Sequence, residues 1–274
     1  MDGVRVWSLG SGSKGNALLV ECGDTRVLVD AGFPARTLST RLTAIGVAPG
    51  SVSACVMTHE HIDHVRGAAG AAKRWGWSLH ATPGTAGGYG ELADAGVAHF
   101  EAGATLSIGR AELTTVRTSH DASDPIGLVV TDRASGARAA IVYDLGVVTA
   151  EVRESVRDVD VLVIEANHDE GMLRGGPYPR YLQNRIASRT GHLSNRAAAA
   201  LCADVAHGAL NHVVLAHLSE TNNDHGLATQ TVSRALGRTR FTGRVSTAAQ
   251  HGPVGPFCAK HSRTTARVEQ LTLF

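Results

Sequence analysis

The stretch Val52-Ser53-Ala54-Cys55-Val56-Met57-Thr58-His59-Glu60-His61-Ile62-Asp63-His64 decides how the chain is read. Val52–Met57 is a short apolar run with the length of a buried strand. It ends on two histidines separated by one residue, and an Asp-His pair follows where the next helix begins. Imidazole and carboxylate together form a ligand set that suits Zn²⁺ and similar ions. An isolated H-x-H is common and means little, whereas H-x-H-x-D-H at the carboxyl end of an apolar strand is specific to metal.

Working outward, VRVWSL (4–9), ALLVEC (17–22) and TRVLVDAG (25–32) read as strands, the last two joined by a tight turn at Gly23-Asp24. Helices are expected over 35–45, 65–75, 149–157, 181–190, 195–206 and 226–236. Further strands are expected near 97–100, 105–108, 111–118, 126–132, 138–143, 161–165, 213–216 and 244–249. A Gly- and Pro-rich loop, GMLRGGPYP (171–179), interrupts the second half, and 252–268 reads as loop or tail. Strands dominate early and mix with helices later, an α/β (α+β) pattern that fits two sheets covered by helices in a single domain. The expected division is 1–252 for that domain and 253–274 for a tail.

Gly10-Ser11-Gly12-Ser13-Lys14-Gly15 matches G-x-G-x-x-G after a strand, with Asp30 further on. A dinucleotide site needs a helix next, and the chain instead continues into the strand Ala17–Cys22. The motif is therefore a hairpin loop whose amides can approach an anion.

Four further segments end strands or open helices: Ser119-His120-Asp121, Tyr143-Asp144-Leu145-Gly146, Gly191-His192-Leu193-Ser194-Asn195 and Leu215-Ala216-His217-Leu218-Ser219. Any one of them alone reads as a capped loop or a core histidine, with Ser194 or Asn195 as a helix cap. Together, and in this order, they complete a metal constellation.

Net charge is +1, but it is unevenly placed. Residues 1–170 hold 14 Lys and Arg against 21 Asp and Glu, and residues 171–274 hold 12 against 4. The basic final third favours a polyanionic partner. The four cysteines form no C-x-x-C pair and read as free thiols in a reducing cytoplasm. No signal peptide is read at the start and no apolar run approaches the ~20 residues of a membrane helix, so no membrane partner is expected.

The order VDAG, THEHIDH, SHD, YDLG, IEANHD, GHLSN, AHLSETNN resembles the metallo-β-lactamase superfamily, on its nuclease side, and is similar to YycJ/WalJ-type proteins across essentially the whole chain. The resemblance implies an αββα sandwich with two divalent ions, Zn or Mn. One would be held by His59, His61, His120 and Asp144, the other by Asp63, His64, Asp144 and His217, with Asp144 bridging. Asp30 would be a supporting acid. Glu165 and His192 match positions where tRNA 3′-processing relatives place a catalytic glutamate and histidine, and Asp63 joins them as a catalytic candidate. Two cations about 3.5–4 Å apart share a hydroxide at neutral pH, and an imidazole is suited to protonate the departing oxygen.

The implied activity is 5′→3′ exonuclease action on DNA, with RNA as the other nucleic acid to be tested. Ser11, Ser13, Lys14, Asn16, Arg174, Arg180, Ser194, Ser219, Asn222 and Asn223 are the candidate phosphate-binding donors. Tyr178 and Tyr181, beside Arg180, are the candidate base-stacking groups. The alternatives are a small-molecule phosphodiesterase or lactonase of the same fold, and a non-catalytic DNA- or clamp-associated accessory protein. The terminal Gln270-Leu271-Thr272-Leu273-Phe274 resembles the pentapeptide that docks bacterial DNA-processing proteins on the sliding clamp, through Gln270, Leu271, Leu273 and Phe274.

Overall fold

The computed structural model describes residues 3–259. The first half of the chain builds one sheet from β1 (Val4–Gly10), β2 (Ala17–Cys22), β3 (Thr25–Val29), β4 (Ala54–Val56), β5 (Ser78–Ala81) and β6 (Ala98–His99). The second sheet holds β7 (Thr105–Ile108), β8 (Ala111–Arg117), β9 (Ile126–Asp132), β10 (Arg138–Val142), β11 (Val161–Glu165), β12 (His212–Ala216) and β13 (Arg244–Thr247). The chain then returns as β14 (Val254–Cys258), antiparallel to β1 at the edge of the first sheet.

Each sheet starts as antiparallel hairpins and turns parallel. β3–β6 run parallel in the first sheet, and β10–β13 do so in the second. Parallel strands need crossover connections, and helices supply them. The first half contributes α1 (Ala35–Ala44), α2 (Ile62–Val65), α3 (Ala68–Trp75), α4 (Pro83–Gly88) and α5 (Gly90–Ala93). The second contributes α6 (Ala150–Ser155), α7 (Glu170–Gly175), α8 (Arg180–Ile186), α9 (Asn195–Val205) and α10 (His225–Leu236).

Three apolar layers follow from this arrangement. Val6, Val20, Val29, Leu128, Ile141 and Val163 pack between the two sheets. Leu28, Cys55 and Leu79 face Leu38, Leu42, Ala68 and Ala71 of α1 and α3. Leu162, Ile164 and Leu215 face Val152, Leu201, Cys202 and Val232 of α6, α9 and α10. Helices thus cover the outer face of each sheet, and the result is an αββα sandwich. β2 and β11 are buried along their whole length, because both faces are covered.

Several elements differ from the sequence expectation. Residues 252–268 read as loop or tail, yet Val254–Cys258 pairs with β1 and buries Phe257 between the sheets. The loop at 171–179 begins with α7, started by the Asp169 side chain, which accepts from Met172 N. The 65–75 helix is two helices, α2 and α3. The cysteines are free, as expected. Among the described residues no helix is long and apolar enough to cross a membrane. The pentapeptide 270–274 lies outside the described residues.

Candidate metal centre

The carboxyl ends of the parallel strands of both sheets meet at one edge, the place where open α/β sheets hold their ligands. Asp30 follows β3, His59 and His61 follow β4, Tyr143 and Asp144 follow β10, Glu165 ends β11 and His217 follows β12. Four described non-glycine residues have positive φ, and three of them are Asp30 (61°), Asp144 (52°) and His217 (54°). A non-glycine residue in this left-handed region is uncommon and costs conformational energy, and such residues gather at functional sites. Here the turn redirects each side chain from the strand end toward the shared centre. Gly32 of the VDAG segment serves the same approach, since a Cβ there would lie 1.7 Å from the Asp63 carbonyl oxygen.

Asp30 is fully buried and makes no approach to solvent. Its Oδ2 accepts from the Tyr143 hydroxyl at 2.6 Å, from Thr58 Oγ1 at 2.8 Å and from His64 Nδ1 at 2.7 Å, while Oδ1 accepts from Thr58 N at 2.7 Å. Because the Thr58 hydroxyl gives its proton to Asp30, the contact with His59 Nδ1 at 3.0 Å must be a donation from the ring N–H. One carboxylate therefore orients two imidazoles, His64 directly and His59 through Thr58. His120 Nδ1 donates to Gly191 O at 3.0 Å. Each ring then presents Nε2 to the centre, as second-sphere partners do in metal sites.

Four ligand groupings result among the described residues, each with its atoms within 4.8 Å of one another: His59, His61 and His120; Asp63, His64 and His217; His59, His64 and Asp144; and Asp144, Glu165, His192 and His217. His61 Nδ1 and His120 Nε2 lie 3.3 Å apart. Asp144 Oδ2 lies 3.0 Å from His64 Nε2, and Asp144 Oδ1 lies 3.3 Å from His217 Nδ1. His217 Nε2 and His64 Nε2 are 3.6 and 3.5 Å from Asp63 Oδ2. His59 Nε2, Asp144 Oδ2 and His217 Nε2 are buried without a hydrogen-bond partner. Orphaned buried polar atoms are costly, and these three, all of ligand type and all within the ligand groupings, fit divalent cation binding.

The electrostatics divide the cluster. Burial holds His59 well below its ordinary value, and burial lowers His120 too, so both are neutral imidazoles. Burial would also lower His64 and His217, but Asp144 with its neighbouring carboxylates overrides it. His64 stands well above its ordinary value and His217 is pushed up to about 9. Burial opposes the ionisation of Asp144 and Asp63, yet the adjacent histidines keep both carboxyls well below the usual range.

Glu165 and His192 meet beside this cluster. His192 Nδ1 donates to Glu165 Oε1 at 2.7 Å, and its distance to Asp144 Oδ1 is 3.3 Å. The other Glu165 oxygen accepts from Leu145 N at 2.9 Å and Leu193 N at 3.2 Å. Burial would lower His192, but the Glu165 and Asp144 carboxylates hold it well above its ordinary value. His192 keeps a quarter of its side chain open and lines a cavity of about 230 Å³ with His61, Asp63, His120, Asp144 and His217.

The candidate phosphate donors divide in two. Ser13 lines the cavity, and Lys14 is exposed beside it and paired with Glu220. Arg174 and Arg180 are exposed on α7 and α8. Ser11, Asn16, Asn222 and Asn223 are buried and serve the scaffold. Ser11 Oγ donates to Asn16 Oδ1 and accepts from His217 N, fixing that strand end, and Asn16 Oδ1 also closes the glycine loop on Gly12 N. Asn223 Nδ2 donates to Ala166 O and Asn195 Oδ1. Ser219 Oγ accepts from Asn222 N, and Ser194 caps α9. Thr58, Tyr143 and Asn167 were not foreseen, although all three stand inside the quoted motifs. Asn167 Nδ2 donates to His217 O at 3.0 Å.

Comparison with known proteins matches residues 25–218 to the beta-lactamase superfamily domain. The chain is 32% identical over 238 residues to "Exodeoxyribonuclease YycJ" of Bacillus anthracis, covering 85% of this chain and 89% of the relative. It is 32% identical over 242 residues to "Exodeoxyribonuclease WalJ" of Streptococcus pneumoniae serotype 2, covering 85% and 88%. Its fold is similar to the metallo-beta-lactamase fold protein YhfI of Bacillus subtilis, with TM-score 0.70, 18% identity, and coverage of 92% of this chain and 99% of that one.

Proposed function

The chain belongs to the metallo-β-lactamase superfamily, in its YycJ/WalJ-like branch, and from that premise we propose that it is a metal-dependent 5′→3′ exodeoxyribonuclease. The observation that carries the phosphodiester reading is the buried Glu165 carboxylate holding His192 beside the ligand cluster. The names of the two relatives support DNA as substrate. Two divalent ions, Zn or Mn, are assigned to His59, His61, His120 and Asp144, and to Asp63, His64, Asp144 and His217. When bound they supply an activated water and charge stabilisation for the phosphoryl oxygens.

The chain's own residues do the rest. Glu165 takes two backbone N–H groups on one oxygen, so its carboxylate cannot rotate, and the other oxygen fixes His192 Nδ1. His192 is thereby a cation at neutral pH, with its remaining ring nitrogen free to donate a proton to the departing oxygen. Asp63 bridges the two histidines of its grouping and keeps their nitrogens turned inward. Leu182 and Ile186 close one wall of the cavity with apolar surface and limit competing water.

The test is a set of 5′- and 3′-labelled single- and double-stranded DNA and RNA, each with Mn²⁺ or Zn²⁺, against a chromogenic phosphodiester. Shortening of DNA from its 5′ end supports the proposal. Turnover of the small diester without any nucleic acid cleavage overturns it in favour of a small-molecule phosphodiesterase. A clamp partner rests on residues 270–274 alone. Deleting them should abolish binding to a bacterial sliding clamp while leaving nuclease rate on free DNA unchanged, and equal clamp binding with and without them removes that partner.

A further inference from the structure

A second cavity, of about 330 Å³, shares a wall with the metal cavity, because the His192 ring lines both. None of the candidate metal ligands lines it. Its volume is within the range of small-ligand sites. It lies at the N-terminus of α9, where Ser194 and Ala197 form part of its wall and the first turn carries no acid. The partial positive charge of a helix N-terminus favours an anion there.

His168 is an independent sign of a ligand. It stands in the IEANHD segment, is 2% exposed and lines the same cavity. Its Nδ1 is buried without a hydrogen-bond partner, a costly state that an incoming polar group would relieve. Arg174 reaches the cavity from α7. Its partner Asn184 Oδ1, at 2.8 Å, is neutral and leaves the guanidinium charge uncompensated. One acid lines the cavity, Glu170, and it is engaged by the Arg196 guanidinium and the Ser194 hydroxyl. A guanidinium, an unpartnered imidazole and a helix N-terminus around one cavity match a phosphate group.

Which phosphate follows from His192. On the nuclease reading its ring gives a proton to the departing 3′ oxygen, while the oxygen of water bonds to the phosphorus in its place. A strand digested from its 5′ end loses its terminal nucleotide, which leaves with a 3′-hydroxyl. That hydroxyl departs at His192, the wall between the two cavities, so the far end of the nucleotide extends past the ring toward the second cavity. The far end is the 5′-phosphate. Each turnover also leaves a new 5′-phosphate on the next nucleotide, which renews the group to be bound.

We propose that the cavity bounded by His168, Arg174 and the start of α9 binds the 5′-terminal phosphate of the DNA strand being digested. The inference rests on the exonuclease reading and deepens it.

The experiment uses the full chain with Mn²⁺ and one DNA duplex prepared with either a 5′-phosphate or a 5′-hydroxyl. The ratio of kcat/KM on the two ends cancels what both share, namely fold, ions and duplex contacts. Wild type should favour the phosphate about ten-fold, the worth of one charge-assisted hydrogen bond. His168→Ala and Arg174→Ala should each bring the ratio close to unity, and Arg174→Lys should keep part of the preference. Equal rates on both ends in the wild type, or a preference that both alanine variants retain, overturns the pocket and leaves the nuclease reading intact. Thymidine 5′-monophosphate and thymidine are then titrated into the same proteins without DNA. Monophosphate binding that His168→Ala and Arg174→Ala weaken, in a protein that cleaves no DNA, upholds the pocket and fails the nuclease reading. Monophosphate binding that neither variant changes places the phosphate on the ions and overturns the pocket.

Discussion

Asp30 fixes two ring tautomers through hydrogen bonds at 2.7 and 2.8 Å, so its removal should disturb the cluster without deleting a ligand. Asp30→Asn is expected to lower metal affinity about 10–100-fold, the usual effect of losing such a partner, as read by competition with a chromogenic chelator. Asp144→Ala removes the carboxylate that reaches both groupings and should lose both ions. His192→Ala should keep its metal, measured by elemental analysis, and lose about 10²–10⁴-fold in turnover. A diester with an activated leaving group should recover part of that loss, since such a group needs no proton. Near-wild-type turnover with full metal content would remove His192 as the proton donor. The pH dependence follows from the same atoms. His59 and His120 are neutral, whereas His64 and His217 carry protons at pH 7 that a cation must displace. A raised pKa keeps the proton on until pH passes it, so affinity of the Asp63–His64–His217 grouping should climb from pH 6 to about 9, where His217 titrates. His59 and His120 are already neutral and add no such dependence. Titration calorimetry in buffers of different ionisation enthalpy should then register proton release as the Asp63–His64–His217 grouping is filled. The seven candidate ligands were legible because histidine and aspartate at strand ends have few other reasons to occur together, whereas the Glu165–His192 pair came from the family resemblance. The orienting shell was not. Thr58, Tyr143 and Asn167 have ordinary structural uses, and only three-dimensional contact assigns them to the centre.

At the level of elements, the continuous apolar strands were readable because burial on both faces leaves no alternation to misplace. β11 and β12 show this most clearly. β14 escaped because its Gly255 and Pro256 read as loop residues, while its pairing is with β1 at the opposite end of the chain, a contact that no local pattern reports. α7 escaped because Gly171 and Gly175 obscure a short helix that depends on the Asp169 cap. The basic third of the chain was legible as charge but not as geometry. Several of its arginines are taken up in ion pairs, Arg185 with Asp121 and Arg196 with Glu170. This grades the expected effects. Replacing Arg174, Arg180 and Arg185 with Ala should weaken DNA affinity and flatten its dependence on salt, by roughly one unit of log–log slope for each phosphate that is no longer neutralised. Arg180→Ala should account for more of that change than Arg185→Ala, whose charge is partly neutralised already. Equal loss on DNA and on a small chromogenic diester would mean that these side chains support the cavity and not the strand.

Across the whole molecule the centre joins two half-structures. The first sheet's connections provide His59, His61, Asp63 and His64, and the second's provide His120, Asp144 and His217. The glycine loop adds a protein-only tie, since Ser11 after β1 accepts from His217 N after β12. Apolar packing between the sheets holds the layers together over their middle, but at the site edge the contacts are imidazoles and carboxylates with orphaned atoms. Cations bound there would therefore act as a clasp across the sandwich, and would bind the folded chain far better than an unfolded one in which the ligands are scattered. Such linkage stabilises by about 2.7 kcal/mol for each site held at a hundred times its Kd. A chain of this size gains roughly 2–4 °C per kcal/mol. Removing metal with a chelator should thus lower the unfolding midpoint by about 5–10 °C per site, and Mn²⁺ or Zn²⁺ should restore it in a concentration-dependent way. Asp144→Ala supplies the control, because a chain that cannot hold the ions should unfold at one temperature with chelator or with metal. A midpoint in the wild type that ignores the chelator, with the metal shown to be gone, would mean that the sheets are clasped by protein contacts such as Ser11–His217 and Tyr143–Asp30 together with the core.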